Sequence, residues 1–98
     1  MIDWKPNIQF LVHAAADTVG VATMDLVAGE KVRGIYMDTQ RVVELVALDD
    51  IPLGHKIALK DQATGEAVIK YEHDIGEVVA DIKRAGHVHV HNLRTKRW

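Results

Sequence analysis

The sequence predicts a mainly β, compact module of short strands and hairpins with little helix. Three observations carry that expectation. The chain is 48% hydrophobic, and its apolar runs are short, alternating and rich in Val and Ile, as half-buried strands require. A strand-turn-strand pattern recurs: "VATMDLVAGEKVRG" (21–34), "IALKDQATGEAVIK" (57–70) and "VVADIKRAGHVHVH" (78–91). Only two prolines and seven scattered glycines occur, so no linker divides the chain, and residues 1–98 read as one domain with a short basic tail over 93–98.

Taken in order, Phe10 to Val12 is an apolar strand that ends at His13, before a turn. In each repeat an Asp precedes a small turn ending in Gly, and a Val follows the Asp by seven residues: Asp25 to Val32, Asp61 to Val68, Asp81 to Val88. The Asp is expected to bond its own backbone and start the turn, and Gly supplies a positive φ. In the third copy the Gly lies one position later, at Gly86. Arg41 to Leu48 is a short apolar run whose valines favour a strand. Pro52 and Gly54 force a turn before His55 and Lys56, which lead into a strand with Ile57 and Leu59. His73 falls in a polar hairpin loop and is expected to be exposed.

Composition excludes several functions. Aromatics make up 5% of the chain, too few for base-stacking platforms. A net charge of -2 implies neither a nucleic-acid nor a membrane partner. There is no cysteine, hence no thiolate metal site, disulfide or Cys nucleophile. No basic-then-apolar leader opens the chain, and no apolar run approaches the roughly 20 residues that span a bilayer. A cytoplasmic location is the expectation.

His87, His89 and His91 alternate with Val88 and Val90. On one strand, residues i, i+2 and i+4 share a face, so the three imidazoles would project together while the valines pack inward. The residues alone admit two readings, a metal-binding face or the wet face of a half-buried strand. His55 beside Lys56 likewise suits a general base with an anion holder, or two surface residues after a tight turn. Neighbouring strand residues point to opposite faces, so that pair cooperates only if the turn at Gly54 distorts the pleat.

The stretches "HAAADTVGVATMDLVAGEKV", "DDIPLGHKIALKDQATGEAVIKY" and "IGEVVADIKRAGHVHVHN" together resemble the N-terminal SAF-type (β-clip) domain of the altronate and galactarate dehydratases, from about Ile8 to Asn92. "IPLGHKIAL" and "VHVHN", in that order, carry the resemblance. In those dehydratases a much larger catalytic part follows. This chain stops at Trp98, which is similar to a two-subunit branch that eliminates sulfite from (2R)-3-sulfolactate and leaves pyruvate. The resemblance implies a large catalytic (β) subunit as partner, a small anionic substrate and iron(II), held mainly by the large subunit or shared with it. It maps the family's GHK element onto Gly54, His55 and Lys56, giving His55 and Lys56 as catalytic residues and Lys56 and Asn92 as substrate-binding ones. It marks His89 and His91 as the metal pair and leaves His87 as a bystander. The isolated chain is expected to be inactive, with Trp98 as an apolar anchor for the partner. The rival expectations are a sugar-acid hydro-lyase subunit and a non-catalytic binding or assembly module.

Overall fold

A computed structural model describes residues 8–70, 73–89 and 91–95. Among these there is no helix, and the short apolar runs form nine strands: β1 (Phe10–Val12), β2 (Val19–Ala22), β3 (Lys31–Tyr36), β4 (Val42–Val46), β5 (Lys56–Ala58), β6 (Ala67–Lys70), β7 (His73–Val78), β8 (His87–Val88) and β9 (Leu93–Thr95). They build a six-stranded sheet, ordered β4-β3-β1-β2-β5-β8, and a three-stranded sheet, β6-β7-β9. All pairs are antiparallel except β1 with β3. The run 41–48 is therefore a strand at its centre, as its valines indicate.

The repeat is present four times, once more than the sequence pattern showed. Asp25, Asp50, Asp61 and Asp81 each precede an isolated bridging residue and then a β-turn. The turns close through Glu30 N to Val27 O (3.1 Å), His55 N to Pro52 O (2.9 Å), Glu66 N to Ala63 O (3.0 Å) and Gly86 N to Lys83 O (2.9 Å). The unrecognised copy, Asp50 to Ile57, carries the turn that delivers His55. Pro52 and the following Leu53-Gly54 hide it, because they leave no alternating flank to read.

The aspartates do not bond their own turns. They cap each other's, in two reciprocal pairs. Ala28 N donates to Asp50 Oδ1 (2.9 Å) and Leu53 N to Asp25 Oδ1 (2.9 Å). Thr64 N donates to Asp81 Oδ1 (2.9 Å) and Arg84 N to Asp61 Oδ1 (2.7 Å). The bridges Leu26 with Ile51 and Gln62 with Ile82 bring each pair of copies side by side, so the partner's turn amide lies nearer than the Asp's own. A carboxylate on an amide is a charge-assisted bond worth more than a neutral one. We expect Asp50→Ala to lower stability by about 1–2 kcal/mol in chemical denaturation, and Asp50→Asn, which keeps the acceptor oxygen, to lose less than half of that.

The positive-φ position stays four residues after the Asp in every copy: Gly29 (φ 90), Gly54 (φ 85), Gly65 (φ 97) and Ala85 (φ 70). The last copy therefore does not shift its turn. Ala85 takes the left-handed position and Gly86 is needed for a different reason. A Cβ on Gly86 would meet Lys83 O at 2.9 Å and Asp49 Oδ2 at 3.3 Å.

Two apolar cores result, and β5 contributes to both. Ile57 packs with Phe10, Val32, Leu45 and Ile51, while Ala58 packs with Val19, Val68, Val78 and Val88. Alternation along a strand explains this, since successive side chains leave by opposite faces.

Several expectations are corrected at the C-terminal end. β8 is only two residues long, and the chain turns at His89, whose carbonyl accepts from Asn92 N (3.1 Å) and Leu93 N (2.9 Å). The histidines 87, 89 and 91 therefore do not line one continuous strand. Val88 is buried as anticipated, while Val90 lies outside the described residues. His73 opens strand β7 and is not in a loop. The presumed tail begins with β9, where Leu93 is buried, and Trp98 lies outside the described residues.

Candidate functional site

The antiparallel pairing of β5 with β8 sets Lys56 opposite Val88 and Ile57 opposite His87. One step further in the same register sets His55 opposite His89. Their rings stack with centroids 4.1 Å apart and 22° between planes. His87 is the diagonal neighbour, and its Nε2 lies 2.8 Å from His55 Nδ1, a hydrogen bond in which one ring donates and the other accepts. Ligand nitrogens of His55, His87 and His89 all lie within 4.8 Å of one another.

The backbone around this cluster is held by two polar side chains. Asn92 is buried, accepts from His89 N at Oδ1 (3.0 Å) and donates from Nδ2 to His87 O (2.8 Å). Both ends of its amide serve the loop that presents the imidazoles. Asp49 Oδ2 accepts from His87 N (2.9 Å) and fixes the start of β8. Nothing in the sequence pattern marked Asp49; only the fold brings it to His87 across 38 residues.

The sequence-predicted residues come together in part. His55 and His89 meet, and His87, expected to stand aside, is the link between them. His91 is exposed on the far side, its ring centroid 5.2 Å from that of His87, outside the convergent triple. Lys56 leaves β5 on the face opposite to Ile57, yet its charge is felt at His89. His13 belongs to a different cavity.

Burial, followed by the charges of His91, His55 and His89, holds the His87 imidazole below its ordinary pKa. His89 is lowered by desolvation and then by His55, Lys56 and His91. Burial, and then Lys70, lowers the Lys56 ammonium. Neutral imidazoles are therefore the resting form, able to ligate a cation or accept a proton. A group whose folded pKa is depressed contributes stability above its unfolded value and loses it as pH falls. With chelator present, the thermal midpoint should hold above pH 6.5, the ordinary value for His87, and drop as pH falls below it. His87→Gln should flatten that drop, and an unchanged slope would contradict the arrangement.

Three imidazoles are a donor set that suits Zn, Fe or Ni in the divalent state. The His55–His87 nitrogen separation matches the roughly 3 Å between adjacent ligands of an ion bound at about 2.1 Å. The geometry of the cluster thus fits a transition metal, which His55, His87 and His89 would hold together, with His91 outside that triple.

Residues 8–96 match the model of the altronate/galactarate dehydratase SAF domain. The chain is 50% identical to (2R)-sulfolactate sulfo-lyase subunit alpha of Chromohalobacter salexigens, over 94% of this chain and 99% of that one. It is 57% identical to the subunit of the same name from Paracoccus pantotrophus, over 55% of this chain and 81% of that one. It is 43% identical to altronate dehydratase of Escherichia coli, over 90% of this chain but 17% of that much longer one. A match across nearly every described strand, the turn before His55 and the loop of His87 and His89 places this chain in the altronate/galactarate dehydratase SAF-domain family.

Proposed function

We propose that the chain is the small subunit of a carbon–sulfur lyase that eliminates sulfite from (2R)-3-sulfolactate and works with a separate large subunit in the cytoplasm. The observation that carries this reading is the 50% identity to a sulfolactate sulfo-lyase subunit alpha along almost the whole of both chains. The altronate dehydratase relative is covered over 17% of its length, so a hydro-lyase reading has support for one portion only.

The reaction removes the proton on the carbon between hydroxyl and carboxylate. The C–H electrons form a C=C bond, and the C–S electron pair leaves with sulfite. The enol then takes up a proton and becomes pyruvate. Such a step needs a base and positive charge near the developing enediolate. The imidazoles of His55 and His89 can accept that proton, and the Lys56 ammonium can hold a carboxylate or sulfonate. Iron(II), held by His55, His87 and His89, would act as a Lewis acid toward the substrate's oxygens. The same nitrogens serve as ligands or as bases, and metal content in the variants tells these apart.

A partner is supported by the exposed edge of the larger sheet. β4 ends that sheet, and its Val42 and Val46 are 52% and 53% exposed, an apolar edge of the kind proteins cover. The test is co-expression with a sulfo-lyase large subunit, followed by assay of sulfite release from (2R)-3-sulfolactate and of water loss from altronate. Sulfite release by the complex but not by the chain alone supports the reading. Water loss without sulfite release, or no association, overturns it.

A further inference from the structure

Strand β4 is an outer strand of the six-stranded sheet, and its register shows which of its backbone groups β3 leaves over. Tyr36 N donates to Arg41 O (2.8 Å) and Ala47 N to Glu30 O (2.9 Å), so the odd-numbered residues of this run bond to β3. Hydrogen-bonded and non-bonded positions alternate along an antiparallel pair. The amides and carbonyls of Val42, Glu44 and Val46 therefore point to the open edge. Leu48 N points the same way and donates to Ala85 O (3.0 Å). The fold thus closes this edge at one end and leaves the strand itself, Val42–Val46, open.

The open stretch adjoins a shallow groove of about 420 Å³, lined by Lys31, Glu44, Leu45, Val46, Arg84 and Ala85. Among the described residues the ion pairs are Arg33 with Glu44 and Arg94 with Glu77, so neither Lys31 nor Arg84 is in one. Arg33 holds the Glu44 carboxylate at 2.6 Å, and Lys31 acts on it only as a lesser charge. Val42 and Val46 flank Glu44 on the same strand face. The edge offers main-chain bonds, apolar contact and, at the Val46 end, positive charge.

We propose that β4 receives an extended segment of the large subunit, which adds a further strand to the sheet and brings a carboxylate to Lys31 and Arg84. This rests on the two-subunit reading above and gives that partner a chemistry. The segment is a strand of about five residues, apolar beside Val42 and Val46 and acidic near the groove, held by strand addition at a sheet edge. A second copy of this chain fits worse. The register that uses all three outward residues would set Glu44 opposite Glu44 and carry Arg41 opposite Ala47, toward Arg84. Like charges directly opposite one another destabilise a strand pair.

The test is amide hydrogen exchange of the full chain, alone and co-expressed with a sulfo-lyase large subunit, beside the sulfite assay. In the free chain the amides of Val43 and Leu45 should exchange slowly and those of Val42, Glu44 and Val46 fast. In the complex the outward three should slow by about 100-fold or more. Val46→Pro removes an amide that β3 does not use, and Lys31→Glu with Arg84→Glu reverses the groove's charge at exposed positions. Each should weaken assembly about tenfold or more; if the proline variant fails to fold, the charge variant decides. Unchanged assembly in the charge variant would overturn the acidic segment. A complex that releases sulfite while the outward amides exchange as in the free chain would overturn the added strand and leave the lyase reading intact. Protection of those amides in a homodimer of the chain alone would overturn the large subunit as occupant. Protected amides in a complex that releases no sulfite would uphold the strand and remove the lyase reading, and no association would overturn both.

Discussion

Replacing His87 by alanine is expected to lower turnover of the assembled enzyme by about 100-fold or more, the scale of losing a group that moves a proton in the transition state. His55→Ala and His89→Ala should do the same, and Lys56→Ala should fall in the same range with assembly unchanged. His87 bonds His55 at 2.8 Å and stands between His55 and His91, so its loss frees His55 to rotate and leaves two imidazoles of the triple. His91→Ala should cost less than tenfold, because His91 lies outside the convergent set. Steady-state kinetics beside iron content separates the roles. Loss of iron with activity in the three variants of the triple marks ligation, and loss of activity with full iron marks proton transfer or substrate contact. A His87→Ala enzyme with near-normal turnover would show that the triple does not act as a unit.

The largest stability effect is expected from a single methyl group at Gly34. Phe10 pairs with Gly34 across β1 and β3, and its fully buried ring lies over that glycine. A Cβ there would fall inside van der Waals contact with three ring carbons, and one on Gly20 would sit 2.9 Å from the same ring. The ring occupies a slot between two glycines in a core that cannot give way. Gly34→Ala should therefore cost about 3 kcal/mol, at the upper end of overpacking effects. The corresponding fall in Tm is about 12–20 °C for a chain of this size. The double variant Phe10→Leu, Gly34→Ala should be less destabilised than the sum of its parts, since removing ring atoms relieves the clash. A Tm shift below about 5 °C in Gly34→Ala would mean that the ring has another place to go.

Periodicity was enough to read the β class, the strand at the centre of 41–48 and the turns at Gly29, Gly54 and Gly65. These depend on near neighbours: alternation selects strands, and a positive φ selects glycine. The same local logic misled at the third recognised copy. Gly86 resembled a displaced turn glycine, whereas Ala85 holds the left-handed position and Gly86 avoids Lys83 and Asp49. It also misled over the aspartates, whose bonds run across 17 to 28 residues.

The imidazole site divides along the same line. By itself the sequence determined which side chains were available: His55 after a turn, Lys56 beside it, and histidines at 87, 89 and 91. Residue type and local spacing carry that information. Which of them meet was decided only by the tertiary structure. The pairing of β5 with β8 brings His55 to His87 and His89 from 32 residues away, and the turn at His89, braced by Asn92, takes His91 out of line. A strand face read from sequence assumes that the strand continues. Here it ends after Val88, because Asn92 offers the backbone of His87 and His89 partners that a further strand residue would otherwise have to supply.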